Sequence, residues 1–430
     1  MKLKRFLFVS KDSLSGDLAV HLLNEGHDVR FYFEDKYSKD VYDGFIEKVS
    51  NWKKYLRWAD VIIFDDENFG HYADKLRKRG KLVIGGSRYT DKLEIDRDFG
   101  QSELRKNGIK IVPIWNFNNY NKAITFIKNN PARYVYKPSG NEQSGDKRLI
   151  LISQKEDGSD LLEFLYQNNK ILEKKNRRFV LQRFIEGIEI AVGAFFNGTD
   201  FIYPININFE HKHLFSRNLG PMTGEMGTLM FWSKSNAFFR STLLRMKSSL
   251  KRSGYVGYID LNCIVNESGI FPLEFTSRFG YPTIQIQPAG ILDQAGDWLY
   301  KLSRGITFRL STKKGFQIGV VIATPPLLSE GDDMKIVKTF RDIAINLKSK
   351  NKLKNIHIGD IKKDKNGIWR IAGSSGWCLV ITGTGKTVGQ ARAKAYKEIK
   401  NISIPSMFYR GDIGSRWFRE GKKLRSWGYI

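Results

Sequence analysis

The sequence predicts a protein of three successive α/β and α+β units, the first built on a parallel sheet, and three observations carry that expectation. Strand and helix patterns alternate regularly from Arg5 to Gly86. A second alternating stretch leads to a hairpin studded with acids, Gly254–Gln287. At about Thr312 the pattern changes character, and short strands and one helix follow with sparse candidate chemistry. The expected units are residues 1–108, 109–311 and 312–430.

In the first unit, Arg5–Ser10 reads as a strand, Leu18–Asn24 as a helix ended by Gly26, and His27–Phe33 as the next strand. Val61–Asp66, a helix through Tyr72–Lys78 and Lys81–Gly86 continue the series, which predicts a parallel sheet with helices on its faces. The loop Ser10–Gly16 has a single glycine, so it is no dinucleotide fingerprint, though its amides suit a phosphate at a helix N-terminus. The opening MKLKRFLFVSKDS has an apolar run too short for a signal peptide and reads as the first strand.

Composition sets bounds on partners. The 430 residues are 41% hydrophobic and 13% aromatic, enough for sizeable cores, and no run of about 18 apolar residues offers a membrane span. Basic residues outnumber acidic ones 71 to 45, a net charge of +26, which attracts anions. These charges are interspersed with acids rather than gathered in a tail, so the expectation is small anionic substrates rather than nucleic acid. Cys263 and Cys378 sit in apolar runs and form neither a disulfide framework nor a metal motif, which points to a reducing cytoplasm.

In the second unit a helix is expected over Lys92–Asn107, then a strand at IKIVPIW. Lys137 stands within the apolar strand Arg133–Gly140, followed by the polar loop Asn141–Lys147. An ammonium beside such a loop suits phosphates; a lysine snorkelling to the surface is the alternative. Arg178–Gly198 and Phe201–His211 read as an antiparallel meander, and Asn218–Thr228, with three glycines, as a flexible cover for a substrate. One long helix over Asn236–Ser253 then delivers the chain to the hairpin. There Asp260 and Asn262 share one face, and so do Glu274 and Thr276. Acids in mid-strand mark either a solvent-facing hairpin or a site for a divalent cation, whose hard-oxygen preference they satisfy.

Three motifs give these patterns a family. Gly220-Pro221-Met222-Thr223-Gly224-Glu225-Met226-Gly227 resembles a Gly-Pro-Asn-Thr-Gly-Gly-Met-Gly loop, and Glu274-Phe275-Thr276-Ser277-Arg278-Phe279-Gly280-Tyr281-Pro282-Thr283-Ile284-Gln285 resembles a Glu-Phe-Asn-x-Arg-Phe-Gly-Asp-Pro-Glu-Thr-Gln run. Met407-Phe408-Tyr409-Arg410-Gly411-Asp412-Ile413-Gly414 resembles a Met-x-Tyr-Arg-x-Asp-Ile-Gly motif. Together and in this order they resemble the ATP-grasp superfamily, and within it the phosphoribosylamine–glycine ligase (glycinamide ribonucleotide synthetase) family.

The resemblance implies a Rossmann-like N-terminal (pre-ATP-grasp) domain, a two-lobed ATP-grasp domain and a small α+β C-terminal domain. It implies a purine-biosynthetic ligase that phosphorylates a carboxylate with ATP and passes the acyl group to an amine, with glycine and 5-phosphoribosylamine as the pair. Arg97 and Lys137 would meet the ATP phosphates, Gln182, Arg183, Phe184 and Ile185 would flank adenine as a hinge whose backbone reads its edge, and Glu189 would hold the ribose. Lys212 would stand near the transferring phosphate and Arg278 near the acyl phosphate. Gly220, Pro221, Thr223, Gly224, Met226, Gly227 and Pro282 would cover the substrates. Asp260 and Glu274, helped by Thr276 or Asn262, would hold Mg²⁺, or Mn²⁺ in its place. The implied partners are ATP, an amino-acid carboxylate and an amine, in a cytoplasmic monomer or homodimer without membrane attachment.

Four positions depart from the family pattern. Ser10–Gly16 replaces a Gly-Gly-Arg-Glu-His loop, Tyr281-Pro282-Thr283-Ile284 lacks the two acids of Asp-Pro-Glu-Thr, Thr276 replaces Asn, and Gln182 replaces Glu. The first two favour a relative that joins a different acid and amine. A basic binding protein without turnover is a third reading, against which the retained Lys137, Glu189, Asp260 and Glu274 stand.

Overall fold

The run Phe6-Leu7-Phe8-Val9 has no polar alternation, the mark of a strand covered on both faces, and all four side chains are fully buried. It lies at the centre of five parallel strands in the order Glu47–Lys48, Asp28–Phe33, Arg5–Ser10, Val61–Phe64, Val83–Ile84. Leu18, Ala19 and Leu22 of helix Gly16–Asn24 join Phe6 and Phe8 on one face. Ala73 and Leu76 of helix Gly70–Lys78 join Leu7 and Val9 on the other. The chain is seen in a computed structural model that describes residues 2–138, 149–175, 178–325, 327, 334–348 and 353–430. The loop Asn141–Lys147, read from sequence as a partner of Lys137, lies outside the described residues.

Two expected helices are broken, each for a local reason. Lys92–Asn107 is two helices, Arg88–Ile95 and Arg97–Lys106, because Asp96 is extended and its side chain accepts the Phe99 N–H as an N-cap. The long helix expected over Asn236–Ser253 is three short turns, Ala237–Ser241, Leu243–Met246 and Lys247–Arg252. Its break falls at Thr242, whose hydroxyl donates to the Phe238 carbonyl and competes with the helical ladder.

The expected meander is split between two sheets. Phe179–Arg183 lies in an antiparallel four-stranded sheet, ordered Ile114–Phe117, Phe179–Arg183, Tyr134–Pro138, Leu151–Ile152. Helices Tyr120–Asn129 and Ser159–Lys175 share a core with it through Ile124, Ile127, Leu161 and Leu165. After residues 184–187 the chain enters an eight-stranded antiparallel sheet as Ile188–Asn197. That sheet runs Gly269–Thr276, Val256–Asn266, Ile188–Asn197, Phe201–Glu210, Gly227–Ser233, Phe316–Ala323, Trp377–Gly385, Ile356–Ile358. Its last three strands come from residues 312–430, so the sequence boundary at 311 passes through one continuous sheet. Among the described residues no helix is long and apolar enough to cross a membrane.

Candidate active site

One face of the central sheet is polar, and strand Phe201–Glu210 shows why. Ile205, Ile207 and Phe209 point into the core, so the period of two turns Asn206, Asn208 and Glu210 to the other side. The register sets Asn208, Ala191, Asn262 and Glu274 in one row, and Asn206, Gly193, Asp260 and Thr276 in the next. Gly193 is required there, because a Cβ would strike the Tyr258 ring. The Tyr258 hydroxyl donates to Asp260 Oδ2 at 3.0 Å, and Asn208 Nδ2 donates to the same oxygen at 2.8 Å. Burial, reinforced by the nearby Glu210, still pushes the Asp260 carboxyl well up. Asn262 Nδ2 donates to Glu210 Oε2 at 2.7 Å, and Glu210 is likewise raised by burial. A face of buried carboxylates held by amides and a phenol is a hard-oxygen donor set short of positive charge, and it fits a divalent cation.

Lys212 supplies part of that charge. Its Nζ lies 3.0 Å from Glu274, 3.4 Å from Glu189 and 3.5 Å from Glu210. Burial opposes its charge, but the fields of Glu274, Glu189 and Glu210 outweigh it and hold the ammonium well above its ordinary value. Arg97 Nη2 reaches Glu274 at 3.8 Å. From the four-stranded sheet, Lys137 Nζ donates to Gln182 Oε1 at 2.6 Å. Burial first, then the charge of Arg97, brings Lys137 down to about 7. The structure thus gathers Arg97, Lys137, Gln182, Glu189, Lys212, Asp260, Asn262, Glu274 and Thr276 around the two sheets.

Gln182–Ile185 leads from the four-stranded sheet toward the eight-stranded one. The Arg183 N–H donates to the Pro113 carbonyl and the Phe184 N–H to that of Arg133, while the Phe184 ring lies under the Arg133 guanidinium. The Ile185 N–H has no protein acceptor among the described residues.

The glycine-rich segment Asn218–Thr228, expected as a loop, contains a strand. Leu219–Met222 pairs with His213–Phe215 across the turn Ser216–Asn218, where Arg217 and Asn218 take φ +61° and +57°, and Gly220 within the second strand takes φ +77°. Thr223 donates its N–H and its hydroxyl to the Lys212 carbonyl, and Met226 donates to that of His211. Gly227 takes φ +143° and passes 2.5 Å, measured from a virtual Cβ, from the Gly319 carbonyl, so no other residue fits. Pro221 stays on the exposed part of this small hairpin. The motif Met407–Gly414 anchors its base: buried Arg410 donates to the His213 carbonyl and Asn218 Oδ1 and pairs with Asp412, which accepts the Arg217 N–H. Arg416 donates to the backbone carbonyls of Glu189 and Glu210.

At the other end of the cleft the two inner serines of the Ser10–Gly16 loop bond within the protein. The Ser15 N–H and hydroxyl both go to Asp65 Oδ2, the Ser13 hydroxyl goes to Asp360, and the Ser13 N–H goes to Ser10 Oγ. Arg278 Nε lies 3.0 Å from Glu94, 3.0 Å from Glu67 and 3.6 Å from Asp66, so three carboxylates surround it. Pro282 caps helix Thr283–Gly290, and the preceding Tyr281 stacks on Trp377 with centroids 4.4 Å apart. Trp377 in turn packs on Gly224, where a Cβ would collide with its ring.

Glu67, Glu94, Arg97, Glu274, Thr276 and Arg278 line one cleft of about 1300 Å³. Sequence reading missed Glu210, Asn208, Tyr258, Asp66, Glu67 and Glu94. Asn206-x-Asn208-x-Glu210 carried a usable signal, polar residues at period two inside an apolar strand. Asp66 and Glu67 follow the end of a parallel strand, where ligands gather in open sheets.

Comparisons agree with this geometry. Residues 95–284 match the family model for the phosphoribosylglycinamide synthetase ATP-grasp (A) domain, and residues 334–416 match the model for the C domain of the same synthetase. A phosphoribosylamine–glycine ligase of Streptococcus suis is 25% identical over 363 residues, 82% of each chain. One from Neisseria meningitidis serogroup B is 24% identical over 358 residues, 80% of each chain. Among solved structures, a phosphoribosylamine–glycine ligase from Thermotoga maritima superposes with TM-score 0.71 at 20% identity, over 95% of this chain and 100% of that one. A biotin carboxylase from Campylobacter jejuni superposes with TM-score 0.65 at 12% identity, over 100% of this chain and 97% of that one. With both domain models matched in order over more than half its length, the chain belongs to the phosphoribosylglycinamide synthetase family of ATP-grasp proteins.

Proposed function

We propose that the protein is an ATP-dependent carboxylate–amine ligase that joins glycine to 5-phosphoribosylamine through an acyl phosphate. The observation that carries this reading is Lys212 set among Glu189, Glu210 and Glu274, opposite Lys137 and Arg97. A carboxylate is a poor electrophile until it is phosphorylated, and phosphoryl transfer needs positioning and charge neutralisation rather than a protein nucleophile. Lys137 and Arg97 contact the phosphates of ATP, the Ile185 N–H meets the adenine edge, and Glu189 accepts from the ribose hydroxyls. Lys212 and Arg278 neutralise the charge that develops as the phosphoryl group passes to the carboxylate.

Asp260 and Glu274, with Asn262, Thr276 and the newly found Glu210 beside them, would hold Mg²⁺, which when bound supplies further neutralisation of the phosphates. Gly220–Gly227 covers the site, so that the acyl phosphate meets the amine before water. Cys263 and Cys378 are buried and unpaired, which supports a reducing cytoplasmic setting.

A second reading, a relative joining another acid to another amine, is favoured by one observation. The Ser13 and Ser15 hydroxyls are already committed to Asp360 and Asp65, so the inner serine side chains of Ser10–Gly16 have little left for a phosphate on the amine. ADP release by the purified protein with ATP and Mg²⁺ decides between the two. Release that needs both glycine and 5-phosphoribosylamine supports the first reading, and release with a different pair replaces it. No release with any pair removes ligase function altogether.

A further inference from the structure

We propose that Asp17, His21 and His357 form a metal site of the zinc type that pins the first unit of the chain to the last. The ligand class is a borderline divalent cation, Zn²⁺ or a late first-row neighbour, held by one carboxylate and two imidazoles. The proposal stands apart from the ligase reading, because none of the three lines the cleft around Glu274.

Convergence is the first argument. Asp17 and His21 are one turn apart on helix Gly16–Asn24 and share a face of it. His357 reaches them from strand Ile356–Ile358, 340 residues after Asp17. Asp17 Oδ2 lies 2.7 Å from His357 Nδ1 and 3.4 Å from His21 Nε2, and the three atoms fall within 4.8 Å of one another. Ligands bound at about 2.0–2.1 Å to a tetrahedral zinc stand about 3.3 Å apart, so small side-chain movements seat the ion. A hydrogen bond from His357 Nδ1 to Asp17 accounts for two of these atoms. His21 brings a third to the same oxygen, although its side chain is 39% exposed and has solvent to turn to.

The second argument is that the buried ligands are held from behind. Asp17 is 5% exposed, and its Oδ1 accepts the Ile358 N–H at 3.0 Å. His357 is 2% exposed, and its Nε2 lies 3.0 Å from Thr382 Oγ1. Thr382 can accept the Nε2 proton, which leaves the Nδ1 lone pair aimed at Asp17 and His21. A ring fixed through its far nitrogen is the usual setting of a metal-bound histidine.

Donor chemistry is the third. Imidazole suits zinc and its late first-row neighbours, whereas Mg²⁺ takes oxygen ligands, so this site and the carboxylate face of the central sheet select different ions. Three protein ligands leave a fourth tetrahedral position to solvent, which reaches the site past His21. Helix Gly16–Asn24 follows the Ser10–Gly16 loop directly, so the ion fixes that loop against the third unit. Freed of the ion, the same three groups share protons instead.

The test uses tag-free, full-length protein, stripped with a chelator and then dialysed with Zn²⁺ in excess Mg²⁺. It should retain stoichiometric zinc by elemental analysis, and Co²⁺ in its place should give the visible absorption of a tetrahedral nitrogen–oxygen site. His21→Asn and His357→Gln should each weaken zinc binding by more than about a hundredfold, and Thr382→Val, which removes only the partner of His357, by about tenfold to a hundredfold. Zinc at about ten times the wild-type Kd should raise the urea midpoint of wild type and leave that of His21→Asn unmoved. Glu274→Gln, altered in the cleft, should bind zinc as wild type does. Absence of stoichiometric zinc from the wild-type protein overturns the proposal and leaves a hydrogen-bonded Asp17–His357 pair. Equal zinc in folded His21→Asn protein, or zinc lost in Glu274→Gln, places the ion elsewhere and overturns it as well.

Discussion

Asn262 Nδ2 donates to Glu210 Oε2 at 2.7 Å, across the strand that separates them on the polar face of the central sheet. With the amide nitrogen so engaged, the Asn262 carbonyl oxygen is the atom left for a cation. Asn262→Ala also strips Glu210 of a donor, and leaving such a buried acceptor bare costs about 1–3 kcal/mol. The apparent affinity for Mg²⁺, read from ADP release against Mg²⁺ concentration, should weaken about tenfold, equivalent to about 1.4 kcal/mol. An unchanged Mg²⁺ dependence would remove Asn262 from the ligand set.

Lys137 makes a prediction about protons. Burial and Arg97 bring its ammonium down to about 7 in the free protein, and phosphates raise it again on binding. Nucleotide binding above pH 7 should therefore take up a proton, while well below pH 7 the lysine is already charged and uptake should vanish. Calorimetry of ATP binding at pH 8 and pH 6, in buffers of different ionisation enthalpy, measures this. Lys137→Ala should abolish the uptake and lower kcat/KM by about a hundred- to a thousandfold, as expected for loss of a preorganised cation.

The Gly224–Trp377–Tyr281 stack couples the cover to the substrate segment. Gly224→Ala forces the Trp377 ring aside, an overpacking that costs about 1–3 kcal/mol. The expected outcome is leakage: ADP release continues while amide yield per ADP falls, because water reaches the acyl phosphate. Parallel assay of ADP and product checks it, and full coupling in the variant would show that the stack is only structural.

Asp17 ties the first and last units together. Its Oδ2 lies 2.7 Å from His357 Nδ1 and 3.4 Å from His21 Nε2. Burial opposes the charge of Asp17, but His357 and His21 outweigh it and depress its carboxyl; burial also opposes the charge of His21, but Asp17 raises it. The Asp17 contribution is present above its unfolded value of about 3.9 and is lost on acidification, whereas that of His21 is present below about 6.5 and is lost as pH rises. His21→Ala should therefore destabilise most near pH 5 and least above pH 8. With the ring half exposed and screened, the difference should be about 0.5 kcal/mol. Denaturant unfolding at both pH values measures it.

The sequence disclosed the parallel sheet, the acid-bearing hairpin and most of the cation and carboxylate set, because period and spacing are local properties. It did not disclose that Phe179–Arg183 and Ile188–Asn197 part company, since both are apolar strands and only their partners differ. The two helix breaks at Asp96 and Thr242 turn on side-chain hydrogen bonds to the backbone, which pattern counting does not weigh. Glu94 and Glu67 are far from Arg278 in the chain, so only the fold brings them to it.

Arg416 holds the carbonyls of Glu189 and Glu210, and strand Phe316–Ala323 closes the open edge of Gly227–Ser233. A ribosome makes these parts long after Lys137, Glu189 and Glu274 have emerged. Domains generally fold as they appear, N-terminal first, but here the central sheet is complete only when late strands join it. Arrested nascent chains should thus gain protection from proteolysis by ATP only once residue 416 has cleared the exit tunnel, and chains stopped at 311 should gain none.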